Sequence, residues 1–186
     1  MTVLTVFRED GEGPLEAIRE PAAIAERMQT LGALFERWEA SCDLSATASQ
    51  EDILGAYAAS VARLKVKYGF ESADVISVNS DHPQKADLRA KFLNEHTHSD
   101  FEVRFFVGGR GLFYLHPDDN VYVLLCERGD LISVPNHLRH WFDLGAEPDL
   151  KCIRLFTTPE GWVADFTGSD ISTRFPRLEA FREAFA

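Results

Sequence analysis

The sequence predicts a mainly β fold: an antiparallel β-barrel preceded by helices and followed by one C-terminal helix. Three observations carry this. After residue 94, six short segments rich in aromatic and β-branched residues are separated by Gly, Asp, Asn or Pro. Before it, longer segments place apolar residues at helical spacing. The final segment, "RFPRLEAFREAFA", returns to that spacing.

Taken in order, "TVLTVFR" (2–8) alternates like a short strand and is followed by a polar, glycine-containing turn. "PAAIAERMQTLGALFERWEA" (21–40) predicts a helix with Pro21 in its first turn. "SQEDILGAYAASVARLKVKYG" (49–69) predicts a second helix, capped by Ser49 and stopped by Gly69. Residues 73–79 ("ADVISVN") read as a strand and 83–93 ("PQKADLRAKFL") as a short helix. The six β segments follow: "FEVRFFV", "GLFYLHP", "NVYVLLCER", "DLISVP", "HWFDLG" and "LKCIRLFTT". "VGGRG", between the first two, reads as a hairpin turn; no helix or Walker lysine follows to make it a phosphate loop. A chain of 186 residues holds one sizeable core. The expected organisation is a single domain over 1–186, with a helical extension over about 15–93 and the barrel mainly over 94–168.

Net charge is −11 and the pI about 4.9, against the basic footprint a nucleic-acid binder needs. The longest apolar runs, such as "VYVLLC", fall far short of a bilayer span, and the N-terminus lacks the pattern of a signal peptide. Cys42, Cys126 and Cys152 are widely spaced with no CxxC pair, so reduced thiols in a cytoplasmic protein are expected.

The chemistry concentrates in "NEHTHSDFEVRFFVGGRG" (94–111). Imidazoles and a carboxylate are costly to bury unless a metal ion or ordinary hydrogen bonds satisfy them. Strand alternation puts His96, His98, Glu102 and Arg104 on one face; Asp100 shares it, so a local bend is expected between His98 and Glu102. Glu95 has the opposite parity and should point away. Further on, "GDLISVPNHLRHWF" (129–142) supplies His140 at the start of a strand. Three neutral imidazoles and a carboxylate suit a first-row divalent ion, and a six-coordinate ion so held keeps two open positions. Free imidazoles titrate near pH ~6.5, so acid should release such an ion below about pH 6.

The neighbours divide. Arg104 is either a fixed cation for a substrate oxyanion or a structural partner of Glu102 or Asp100. Arg154 reads as a structural arginine reaching solvent or a partner. His137 reads as an exposed loop residue, and His82 and His116 as solvated turn residues. Phe92, Phe105, Phe106, Phe142 and Trp162 each read as core more readily than as pocket.

The pattern H-x-H-x3-E-x5-G (His96, His98, Glu102, Gly108) followed by G-x5-P-x4-H (Gly129, Pro135, His140) resembles the two cupin motifs. His137 and Leu144 stand where the usual second motif has glycine and asparagine. More closely, "EHTHSDFEVRFFVGGRGLFYLH", "VPNHLRHWFDLG" and "IRLFTTPEGWVADF" are similar to segments of the acireductone dioxygenase family. That resemblance covers roughly 90–160 well and the N-terminal third loosely. It implies a cupin barrel holding one Fe(II) or Ni(II) per chain through His96, His98, Glu102 and His140. It makes Arg104 the catalytic, substrate-facing cation, and Phe92 and Phe142 the walls for a methylthio side chain. It further implies an acireductone and O2 as partners, and a cytoplasmic monomer without nucleic-acid or membrane partners. The rival classes are another metal-dependent cupin enzyme and a non-catalytic cupin that binds a small ligand.

Overall fold

The computed structural model describes residues 1–45, 47–158 and 163–186. Among them, strands β1 (Val3–Arg8) and β2 (Pro14–Ile18) form a hairpin, followed by helix α1 (Pro21–Thr30) and strand β3 (Leu34–Arg37). Helices α2 (Gln50–Ala56) and α3 (Ala58–Tyr68), strand β4 (Ser72–Val78) and helix α4 (Lys85–Phe92) complete the first half. The second half runs β5 (His96–Thr97), β6 (Glu102–His116), β7 (Asn120–Glu127), β8 (Asp130–Val134), β9 (Arg139–Asp143), β10 (Leu150–Phe156) and β11 (Asp165–Phe166), then helix α5 (Leu178–Phe185).

Two antiparallel sheets share β6. One has the order β11-β5-β9-β6-β7-β1-β2, and the other β3-β8-β6-β10-β4. This is the cupin-type double-sheet architecture the sequence predicts, with the C-terminal helix in place. The sheets do not close into a continuous hydrogen-bonded cylinder among the described residues.

The "VGGRG" segment corrects the expected hairpin. The chain runs straight through it, so "FEVRFFV" and "GLFYLH" are one 15-residue strand. The first half of β6 pairs with β8 and β10, the second with β7 and β9. The pairing with β10 slips between Lys151 and Cys152, as a bulge does where a strand changes sheets. Gly109 has φ +66° there, and a Cβ on it would lie 1.7 Å from the carbonyl oxygen of Asp149, so no side chain fits.

The core has three parts because both sheets are covered on both faces. Between them lie Phe106, Phe113, Leu124, Ile132, Phe142 and Cys152, among others. The outer face of the first sheet carries Leu112, Tyr114, Val123 and Trp141 under Ile171, Phe175 and Phe181 of the C-terminal segment. The outer face of the second carries Val103, Phe105, Leu131 and Ile153 under Ile53, Tyr57 and Leu64 of α2 and α3. Strands buried on both faces read as nearly continuous apolar runs, as β6 and β7 do.

The helix expected over 21–40 ends at Thr30. Gly32 turns the chain at φ +70°, and Leu34–Arg37 pair with β8 as β3. Phe35 gains burial at 3% exposure by facing the inter-sheet core, so strand pairing overrides helical periodicity. The 49–69 helix breaks at Tyr57 (φ −108°, ψ 20°) into α2 and α3. Ser49 caps α2 in a capping box with Asp52, and Gly69 ends α3 in the left-handed region. The segment expected as a helical extension therefore also supplies β2, β3 and β4. Among the described residues no helix is long and apolar enough to cross a membrane.

Candidate metal centre

The site forms where β5, the following bend, β6 and β9 meet. His96 on β5 lies opposite His140 on β9, and His140 lies opposite Leu115 on β6. The bend expected between His98 and Glu102 occurs at Ser99–Asp100. It is held by the Asp100 carboxylate, which accepts hydrogen bonds from the backbone N–H groups of Phe101, Thr157 and Thr158 and from the Thr157 hydroxyl. Asp100 is thereby occupied with folding the loop.

His96, His98 and His140 are all buried, and their ligand nitrogens lie within 4.8 Å of one another. The Nδ1 atoms of His96, His98 and His140 face the carbonyl oxygens of Asn94 (2.7 Å), Val163 (2.9 Å) and Leu138 (2.7 Å). A carbonyl only accepts, so each Nδ1 donates and each Nε2 presents a lone pair to the common centre. Glu102, 1% exposed, brings Oε2 to 3.5 Å from His98 Nε2 and 4.0 Å from His140 Nε2. Glu102 Oε2 and His140 Nε2 have no hydrogen-bond partner among the described residues. Orphaned buried atoms of this kind each cost about 1–3 kcal/mol, and a divalent cation would satisfy both. The donor set thus fits a first-row metal.

Electrostatics hold the same state. Burial pushes His96 down to about 4 and His140 down to about 3, so both imidazoles are neutral at pH 7. Burial, the largest single effect, would raise Glu102, but the neighbouring cationic groups, Arg104 foremost, together outweigh it and lower the carboxyl to about 2. Arg104 donates from Nε to Glu102 Oε1 at 2.8 Å. Its guanidinium lies 4.9 Å from the Phe113 ring and 5.2 Å from the Phe142 ring, and its buried Nη1 has no partner among the described residues.

A cavity of about 510 Å³ opens on His96 and His98. Ile76 and Val78 of β4 and Leu88 and Phe92 of α4 give it an apolar wall; Val163 and Phe166 line it as well. Lys91, Arg104 and Arg154 also line it, and among the described residues no carboxylate does, in a chain of net charge −11. A larger groove between β3 and α3 shares none of these residues.

The remaining expectations fall out as follows. Arg154 has its partner, a two-pronged pair with Asp74 (2.8 and 2.5 Å), and also faces the cavity. Phe92 lines the cavity, whereas Phe142 is 1% exposed and lies behind Arg104, packed on Phe113. Phe105 and Phe106 are core, and Trp162 lies outside the described residues. His137 is exposed, at φ 61°. Glu95 points away from the centre, as parity requires. His116 corrects the expectation of a solvated turn residue: it ends β6, is 1% exposed and bonds Glu95 at 2.6 Å. His82 is half-buried at the cavity edge. Sequence reasoning missed Ile76 and Leu88 as wall, Asp74 as partner and the Val163 carbonyl. Only the apolar alternation of "ADVISV" hinted at the first.

Fold and site together define a cupin-type enzyme with a metal-dependent centre. The comparisons make it particular. The ARD/ARD' family model matches residues 4–164, and the chain belongs to that family. It is 68% identical over 186 residues to the acireductone dioxygenase of Methylococcus capsulatus, covering all of both chains. It is 56% identical over 179 residues to that of Aquifex aeolicus, covering 96% of this chain and 97% of the other. Among solved structures, the acireductone dioxygenase of Bacillus anthracis, with a cadmium ion in its active centre, superposes with a TM-score of 0.78 at 31% identity. That match covers 89% of this chain and 98% of the other. The chain is accordingly a metal-dependent dioxygenase.

Proposed function

We propose that the chain binds one Fe(II) or Ni(II) through His96, His98, Glu102 and His140, and uses O2 to cleave the acireductone 1,2-dihydroxy-3-keto-5-methylthiopentene in methionine salvage. With iron the products are formate and 4-methylthio-2-oxobutanoate; with nickel they are formate, carbon monoxide and 3-methylthiopropanoate. Both sets account for every atom of substrate plus O2. The observation that carries this reading is the convergence of three Nε2 lone pairs with Glu102 Oε2, which has no hydrogen-bond partner among the described residues, beside an arginine-bearing cavity that His96 and His98 line. The cadmium in the active centre of the Bacillus anthracis relative supports a metal at this place.

A bound metal ion supplies Lewis acidity and a template for an electron-rich enediolate and O2. The protein's own residues supply the rest. Glu102 stays ionised, so the four-ligand set carries one negative charge. Arg104 Nη1, a buried donor without a partner among the described residues, stands ready for an anionic substrate oxygen and favours the deprotonated substrate. Phe113 and Phe142 back the guanidinium so that it does not reorganise when charge develops. Phe92, with Ile76 and Leu88, offers an apolar seat for the methylthio chain, and Phe142 acts on the same pocket from behind Arg104. The free cysteines and the acidic surface accord with a cytoplasmic monomer.

The test is oxygen uptake with the acireductone by iron-loaded and nickel-loaded protein in parallel, with formate and CO quantified. Uptake with both metals and CO only with nickel is expected. No acireductone-dependent uptake with either metal overturns the proposal.

A further inference from the structure

Two of the three histidines stand on very little. β5 is two residues long, with a single register pair to β9 and two to β11. Such a strand has too few ladder bonds to hold His96 to the few tenths of an ångström a ligand set requires. His98 lies beyond its end, oriented by the carbonyl of Val163.

The residue before β5 makes up the deficit. Glu95 is 2% exposed, and every polar group it turns inward is used. Its Oε1 takes a hydrogen bond from His116 Nδ1 at 2.6 Å and its Oε2 one from the Thr167 hydroxyl at 2.7 Å. Its carbonyl oxygen takes the Thr167 N–H at 3.1 Å. The topology gives these bonds their meaning. β9 lies between β5 and β6: His140 faces His96 on one side and Leu115 on the other, with Arg139 opposite His116. The Glu95–His116 bond therefore spans β9 on the face of the sheet opposite the histidine cluster. The Thr167 bonds tie the same carboxylate and carbonyl to the end of β11, whose segment carries the Val163 carbonyl.

We infer that Glu95 is a positioning residue for the metal centre: through His116 and Thr167 it holds β5 and β11 against β9, so that the imidazoles of His96, His98 and His140 converge. The inference rests on the proposed ligand set. Glu95 touches neither metal nor substrate, and it acts from the back of the sheet. Outer-shell partners of metal-binding histidines typically change affinity by about 10–100-fold when removed.

The test measures Ni(II) dissociation constants at pH 7.5, by competition with a chromophoric chelator, for wild type, Glu95→Ala, His116→Ala and the double variant. Circular dichroism and Tm are recorded on each. Glu95→Ala should weaken Ni(II) binding about 10–100-fold. His116→Ala, which leaves the Thr167 bond in place, should weaken it by no more than Glu95→Ala does, and the double variant no more than Glu95→Ala, because the Glu95–His116 bond is already lost in each single variant. Glu95→Gln, which keeps the volume and one acceptor, should fall between wild type and Glu95→Ala and serves if the alanine variant does not fold. Val123→Ala, in the outer core away from the site, separates position from stability: it should lower Tm and leave affinity at the wild-type value. Wild-type affinity in both Glu95 variants, or an equal loss in Val123→Ala, overturns the inference. His96→Ala distinguishes the two levels: if it keeps full affinity, the ligand set itself is wrong, whereas if it alone loses the ion, only the role of Glu95 falls.

Discussion

Gly111 is where the fold makes room for the site. A Cβ built on it would lie 2.1 Å from Cζ of Phe142, 2.5 Å from Cε2 and 3.2 Å from Cε1. The Phe142 ring cannot move away cheaply. It is 1% exposed, packed against Phe113 at 4.9 Å and Phe106 at 6.4 Å between ring centroids, and the Arg104 guanidinium lies over it at 5.2 Å. Gly111→Ala must push the ring by more than an ångström to reach an ordinary contact near ~3.5 Å. Overpacking of this kind costs about 1–3 kcal/mol, and the depth of the clash puts it at the upper end. For a chain of this size each kcal/mol lowers Tm by roughly 2–4 °C, so a fall of about 6–12 °C is expected by calorimetry. Turnover should fall further than stability alone explains, because the displaced ring is one of the two that back Arg104. The decisive variant is Gly111→Ala combined with Phe142→Leu. Leucine lacks all three clashing atoms, so the pair should be more stable than the two single costs added, by about 1 kcal/mol or more. Additive losses in the double variant, or an unchanged Tm in Gly111→Ala, would refute the reasoning.

Other expectations follow from the centre. His96→Ala and His98→Ala should each cut bound metal below roughly a tenth of wild type after dialysis, since each removes one of four ligands, while His137→Ala keeps its metal; full retention in the first two would sink the ligand set. Arg104→Ala should lower kcat/KM by roughly two to three orders of magnitude, the cost of removing a positioned donor from developing negative charge, with metal still bound. An unchanged kcat/KM would make Arg104 a structural partner of Glu102 alone. The metal-free protein should lose stability as pH falls below 6.5. His96 and His140 bind protons in the unfolded chain near 6.5, but in the folded one only near about 4 and about 3. The unfolded state therefore gains protons first, and folding loses up to about 3 kcal/mol from His96 and about 5 kcal/mol from His140 across those windows. Urea midpoints from pH 7.5 to 4 measure this, and a flat profile would contradict it.

Some of this was readable along the chain because it is local. The histidines at 96 and 98 and the carboxylate at 102 show in the sequence as one cluster because strand alternation and one bend bring near neighbours to one point. Pro135 and Gly129 punctuated the strand before His140, so its approximate place was visible too. Other features escaped because their partners are far away. "LFERW" is as apolar on a helix as on a strand, and only the pairing of Leu34–Arg37 with Asp130–Ser133 decides for the strand. "VGGRG" has the composition of a turn, yet the next strands lie on opposite sides of it, so the chain continues straight and changes sheets. His116 reads as a turn residue beside "PDD" until Glu95, 21 residues earlier, is found against it.

The sequence by itself determined the antiparallel β architecture and the helix at the end, and it pointed to His96, His98 and Glu102 as one cluster, because periodicity and short spacings are properties of a chain a few residues at a time; His140, far along the chain, came from the second motif. Only the tertiary structure decided that β4 and α4 wall the cavity, that Phe142 backs Arg104 while Phe92 lines the cavity, and that Arg154 answers Asp74. It also decided the charge state of the site. A sequence assigns every histidine the same ordinary affinity for a proton, whereas burial and neighbouring charge act through space, and it is burial that holds His96 and His140 neutral far below pH 6.5.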